Sequence, residues 1–213
     1  MWARLLVLLT LASCGKSEPS RNLDLDAIRL TGDARLRTDT VGDGEFASTS
    51  SFVLVDAENT ARDGAYVTLA GELTSDGGVV GQLKPQSLWI PAHEVRTFAL
   101  VDTERVPRPA ATSARILVKG ALVPQDGQPP RARITDLHVF DDYGKSVAQA
   151  YLVNDAPRLG KVIVIASFHD AHGQPMTRPF QTIEVDGNQK VPVQFVGPPG
   201  STAGTIFVGD VIY

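Results

Sequence analysis

The sequence predicts an all-β protein of two tandem antiparallel β-sandwich domains behind a signal peptide. Three observations predict it. Apolar runs rich in Val, Ile, Leu, Thr and Phe recur at roughly eight- to twelve-residue intervals, separated by Gly, Pro, Asp and Asn clusters. No stretch beyond the leader carries a convincing helical period. The two halves of the chain also align with each other. The composition agrees: in 213 residues, 43% are hydrophobic and 21% charged, close to the soluble globular average. A net charge of −4, with no basic run longer than two, excludes nucleic-acid binding as an expectation. One cysteine excludes a disulfide framework and a cysteine-rich metal site.

The chain opens with Met1-Trp2-Ala3-Arg4, a nine-residue apolar run from Leu5 to Ser13, and then Cys14-Gly15. A short positive start, an apolar core and small residues before a break make up a secretory leader, expected at residues 1–13. Nine residues reach only ~14 Å as a helix, against ~30 Å of bilayer core, so this run does not span a membrane. Leu11-Ala12-Ser13-Cys14 resembles the lipobox of bacterial lipoproteins at every position. The resemblance implies transfer of a diacylglycerol to the Cys14 sulfur, cleavage before Cys14, and acylation of the new amino group. It makes Cys14 the lipid-attachment residue. With Gly15 rather than Asp following, the resemblance also implies an outer-membrane location facing the periplasm. Residues 14–26 (CGKSEPSRNLDLD) are polar, contain Pro19 and read as a tether.

The first sandwich is expected over 27–123, with strands at Ser51–Val55, Ala65–Ala70 and Ala114–Val118. A linker follows over 124–131, where Pro129-Pro130 cannot continue a ladder. The second sandwich, over 132–213, has strands at Ile134–Phe140, Lys161–Ala166 and Thr205–Val208. At an offset of 96, Gly64–Ala70 falls on Gly160–Ala166 and the turn Asp76-Gly77 on His172-Gly173. Phe98-Ala99-Leu100 meets Val193-Gln194-Phe195 at 95, and Ile116-Leu117-Val118 meets Ile206-Phe207-Val208 at 90. The offset changes at loops, which tolerate length change as paired strands do not. The alignment settles His93–Val101, which could pass for a short helix. Its counterpart contains Gly187 and Pro192, so both are read as strands. Each half has the size of an immunoglobulin-like domain but lacks the Cys…Trp…Cys core of true immunoglobulin domains, so the likeness is architectural.

In the second half, Val153-Asn154-Asp155, Gly160–Ile165 and Phe168-His169-Asp170-Ala171-His172-Gly173 resemble the bacterial FxLYD-type domain. That family has an Asn near a strand end, an alternating apolar strand and an aromatic–Asp–x–x–Gly hairpin. The resemblance spans some 60 residues and implies a lipoprotein-associated β-sandwich without established chemistry.

Few groups converge for chemistry. His169-Asp170-Ala171-His172 is the cluster of metal-ligand types, and it reads equally as a polar turn into Gly173. Asp141-Asp142 before Tyr143-Gly144 offers oxygen ligands for calcium, or ordinary turn chemistry. No nucleophile elbow or phosphate-cradling loop is present. No catalytic residue, metal site or cofactor is therefore assigned. Val162-Ile163-Val164-Ile165 is apolar on both faces, where an antiparallel sandwich strand normally keeps one face wet. The run reads as a central strand with scattered surface apolar residues, or as a strand with one face packed on the first domain or on a partner; in the second case Val162→Lys or Val164→Lys is expected to weaken that association. Phe207–Tyr213 alternates and ends in an aromatic, similar to the last strand of outer-membrane barrels; Gly209 and the lipobox favour a last sandwich strand instead. The reading is a lipid-anchored, non-catalytic binding or assembly module with an unidentified envelope partner; an alternative among binding proteins is a component of an envelope or surface-fibre complex that uses an exposed sheet edge for strand addition. The alternative is a metal- or carbohydrate-handling accessory protein or hydrolase built on loops at one end of a sandwich.

Overall fold

The computed structural model describes residues 19–42, 44–125 and 130–212, and these form four antiparallel sheets stacked in two pairs. The first pair holds β1 (Arg21–Asn22), β2 (Ile28–Val41), β3 (Ser48–Asn59), β4 (Ala65–Ser75), β5 (Gly78–Ile90), β6 (Val95–Val101) and β7 (Ser113–Val123). One sheet runs β1-β7-β4-β5 and the other β2-β3-β6. The second pair holds β8 (Ala132–Asp141), β9 (Lys145–Asn154), β10 (Gly160–His169), β11 (Pro175–Thr177), β12 (Phe180–Val185), β13 (Lys190–Pro199) and β14 (Ala203–Ile212). Its sheets run β8-β9-β13, and β10 flanked by β14 on one side and β11 and β12 on the other.

Alternation makes each core. Val53, Val55 and Ala57 of β3 turn inward to meet Val67, Leu69 and Leu73 of β4, with Phe98 and Leu100 from β6. The second core sets Ala148, Ala150 and Leu152 of β9 against Val162, Val164 and Phe168 of β10, with Val193 and Phe195 from β13. The other predicted strands lie within strands, and of the pair read through the alignment, His93–Val101 forms a strand from Val95 and its counterpart from Lys190, with turns at His93 and Asn188 before them.

The duplication extends to hydrogen bonds. Asn59 is buried, and its Nδ2 donates to the carbonyls of Asp63 and Ile90 at 2.8 and 3.1 Å, while its Oδ1 accepts from the Ala61 amide at 3.0 Å. Asn154, also buried, repeats the set 95 positions later with Arg158, Val185 and Ala156 at 2.8, 3.0 and 3.0 Å. His93 and Asn188, again 95 apart, both stand at positive φ, 59° and 57°. The strand pairings fix the register: Ala65 opposes Ile90 as Gly160 opposes Val185. The offset through β4 and β10 is therefore 95, and the expected 96 is one too many. The correction matters because a one-residue slip moves every side chain to the other face of a sheet. Val162 thus matches inward-facing Val67, and Val164 matches Leu69. Offsets of 95 for β6 with β13 and 90 for β7 with β14 agree with the pairings.

Two expectations change at the N-terminus. The leader and Cys14 lie outside the described residues. The tether expected to run to Asp26 ends sooner, because Arg21 and Asn22 pair with Val123 and Leu122 of β7. The Leu23 amide donates to the Ala121 carbonyl at 2.8 Å, and its side chain packs on the first core. A leucine that can bury its side chain and satisfy its backbone does not stay in a solvated linker.

Candidate functional site

The two sandwiches are joined by a built seam. On β10, Val162 and Val164 face the second core, while Ile165 and partly buried Ile163 face the first sandwich, as does Phe207 of the adjacent β14. One face of the doubly apolar strand does pack on the first domain. It is not the face expected, however: with the register corrected, Val162 and Val164 belong to the second sandwich itself.

Polar groups then lock the seam. The His169 Nε2–H donates to Asp56 Oδ2 at 2.8 Å, and the Thr97 hydroxyl donates to Asp56 Oδ1 at 2.5 Å. Asp56 is only 5% exposed, so its charge is held by these two donors rather than by bulk water. Arg178 Nε donates to the Thr97 carbonyl at 2.7 Å. The guanidinium groups of Arg96 and Arg178 lie 5.1 and 5.9 Å from the centre of the Phe207 ring, a cation–π arrangement. Burial pushes Arg178 down to about 10, and its Nη2 has no hydrogen-bond partner among the described residues. Beside this lock, Gln174 Oε1 accepts from the Asp33 amide at 3.1 Å, and Arg35 stands 3.9 Å from Asp170.

The candidate metal ligands are dispersed by this arrangement. His169 is spent on Asp56. Asp170 closes its own turn, accepting from the amides of His172 and Gln174 at 2.9 and 3.0 Å. Those amide donors, that of Gln174 foremost, hold the Asp170 carboxyl below its ordinary range. His172 sits exposed on the outside of the turn. Asp141 and Asp142 likewise serve a hairpin. Asp142 and Lys145 exchange backbone bonds at 2.8 and 3.2 Å, with Tyr143 and Gly144 both at positive φ between them, and Asp141 Oδ1 accepts from the Gly144 amide. That is the two-residue turn that matches the twist of paired strands. Among the described residues, no three His, Cys, Asp or Glu side chains come together as a metal site.

A cleft of about 390 Å³ opens along the seam, lined by Trp89, Arg96, Ile134, Leu137, Asp155 and Phe207 among others. Its cations are paired at the rim, Arg96 with Glu94 at 2.7 Å and Arg133 with Asp155 at 2.7 Å. It offers ring and aliphatic surface beside these two ion pairs.

Asp56, Thr97, Arg178 and Phe207 carry the seam, and none was singled out from the sequence. One signal was available. In the corrected alignment Leu54 and Asp56 of β3 match Gln149 and Tyr151 of β9, so an apolar residue stands on an outward position where its repeat has a polar one.

No family model matches this chain, and no curated protein matches it. Among solved structures, it is similar to red sea bream transglutaminase at 15% identity and a TM-score of 0.29, over 83% of this chain and 29% of that one. The chain thus spans under a third of that protein, and a likeness at this score carries no argument about function.

Proposed function

We propose that this chain is a lipid-anchored protein of the bacterial cell envelope that acts as a non-catalytic binding or assembly module. The observation that carries the reading is Leu11-Ala12-Ser13-Cys14 closing an apolar run, in a chain that holds no other cysteine. Acyl chains on Cys14 provide the anchor: at ~0.8 kcal/mol per buried CH2, one chain binds marginally and two or three hold. Gly15 after the cysteine favours the outer membrane, facing the periplasm. The short lead from anchor to fold suits this role. Only residues 15–20 separate Cys14 from the first paired residue, Arg21, a reach of at most ~23 Å at ~3.3 Å per residue. The double sandwich then works close to the lipid headgroups.

The seam suits an assembly role as well. Two sandwiches packed through Ile165, Phe207 and the Asp56–His169 pair present their outer faces at a set angle, which lowers the ordering cost of binding a partner. The partner is an envelope protein, and no cofactor is required.

Cell fractionation tests the reading. The wild-type chain sediments with membranes and resists high-salt extraction, and Cys14→Ser moves it to the soluble fraction or leaves it as unprocessed precursor. Membrane association unchanged by Cys14→Ser, with normal processing, contradicts it.

A further inference from the structure

The cleft along the seam has a backbone wall as well as side-chain ones. Thr205 to Val208 of β14 line one side of it, and Ala132 and Ile134 of β8 belong to another. β14 is an edge strand: among the described residues it pairs with β10 and with no other strand. Register decides which of its backbone groups face outward. The Ala166 amide donates to the Pro179 carbonyl at 2.9 Å, on the β12 side of β10, so Ala166 turns its backbone groups away from β14. In an antiparallel pair, two opposed residues either both bond across or both face away. Ile206 opposes Ala166 and Val208 opposes Val164, with no bulge between them, so the N–H and C=O of both point to the open edge. Neither residue finds another hydrogen-bond partner there among the described residues, although Ile206 is only 4% exposed. Backbone groups withdrawn from bulk water are nearly always paired, so this edge is built to receive a partner.

The repeat shows what such an edge accepts. β7 is the counterpart of β14 at the offset of 90, and it pairs with β4 as β14 pairs with β10. On its other edge β7 carries β1, antiparallel, through Arg21 with Val123 and Asn22 with Leu122. The Leu23 amide adds a bond to the Ala121 carbonyl at 2.8 Å, and the Leu23 side chain packs on the first core. β1 lies toward the C-terminal end of that edge. On β14 the unspent groups lie nearer the middle, where the cleft opens.

We infer that the cleft binds an extended polypeptide segment of a partner protein, which adds to the open edge of β14 as an antiparallel strand. Main-chain bonds to Ile206 and Val208 supply affinity, and alternate side chains supply choice. One set of side chains falls on the face of Ile206, which packs in the second core, and meets Ile134 and Val208; it is apolar. The other set falls on the face of Phe207, beside Arg96 and its partner Glu94, and takes polar or ring side chains. A cleft of about 390 Å³ has the size of a site for a short segment. This rests on the binding half of the proposed function and names its ligand class; it needs no acyl chain.

Peptide selection on the full chain in detergent tests it, with a displayed library of random peptides as the probe. Enriched sequences are expected to alternate apolar and polar residues, and one of them is synthesised. Methylating its backbone nitrogens one at a time is expected to weaken binding about tenfold at every second residue and little between, because only alternate N–H groups face β14. At saturation the Ile206 and Val208 amides are expected to slow in hydrogen exchange, while the Phe207 amide, bonded to β10, keeps its rate. Val208→Pro removes an edge donor and leaves the β10 ladder intact, so it is expected to weaken binding by a similar factor at unchanged strand content. The inference is overturned if no sequence is enriched, if the methylation losses ignore the alternation, or if protection falls on strands other than β14. Cys14→Ser is expected to bind the peptide as the wild type does, so failure here and failure of the lipid anchor are read separately.

Discussion

The His169 Nε2–H donates to Oδ2 of Asp56 at 2.8 Å, across 113 positions of sequence and from one sandwich to the other. Asp56 has one further donor, the Thr97 hydroxyl, and is almost fully buried, so each partner of this pair leaves the other exposed to loss. Removing one side of a buried, charge-assisted contact costs about 2–4 kcal/mol, because the remaining group is left desolvated. Asp56→Ala is expected to lower stability by that amount. In a double-mutant cycle with His169→Ala the coupling should exceed ~1 kcal/mol. Additive effects measured by urea denaturation would mean that the pair is not a lock.

The two faces of β10 separate two kinds of damage. Ile165→Lys places a charge in the seam, where the wild-type side chain is 3% exposed and joins the first core. It is expected to part the sandwiches, raising the radius of gyration in solution scattering while the strand content by circular dichroism holds. Val164→Lys puts the same charge into the second core and should unfold that sandwich alone. Equal loss of strand content in both variants would refute the assignment of faces.

Arg178 opposes folding as a charge while assisting it as a packed side chain. Burial drives its proton affinity down to about 10, and Nη2 lacks a partner among the described residues. A drop of that size corresponds to roughly 3 kcal/mol against the charged form at neutral pH. Arg178→Met keeps the packing on Phe207 and removes the charge, so stability is expected to stay level or rise by up to about 3 kcal/mol. A loss of more than about 2 kcal/mol in thermal or urea unfolding would show that the cation is needed where it stands.

Asp170 gives the protein an acid limb. Its carboxyl is held below the ordinary value of 3.8, chiefly by the Gln174 amide. A carboxylate of lowered affinity contributes stability that is complete above the unfolded value and fades as pH falls through the folded one. The melting temperature should therefore fall as acid protonates this group, with the Asp170–Gln174 turn loosening. Asp170→Asn should flatten that limb and lose stability at neutral pH. Identical acid profiles for the two proteins would remove Asp170 from the account.

The strands and the duplication were legible in the sequence because their signals are local: period-2 alternation in Tyr66–Ala70, a β-branched apolar run in Val162–Ala166, and turn residues between the runs. The register was missed by one residue because the Gly64 and Gly160 match is a likeness of type, whereas pairing is set by Ala65 with Ile90 and Gly160 with Val185. The better marker was the pair of asparagines, Asn59 and Asn154, whose side chains each tie a loop to a strand end. The seam was half legible. An apolar second face allowed that β10 is covered, but Asp56, Thr97 and Arg178 carry no local signal of burial, and only their tertiary placement brings them together. His169 read as a ligand type or a turn residue because nothing near it in sequence names its partner.

The central claim is a covalent one, and intact-mass spectrometry of the chain purified from native membranes tests it most directly. The account predicts a mature protein beginning at Cys14, heavier than the bare polypeptide by a diacylglyceryl group on sulfur and an acyl group on the amino terminus. A free thiol at Cys14, or a mature start at any other residue, contradicts it.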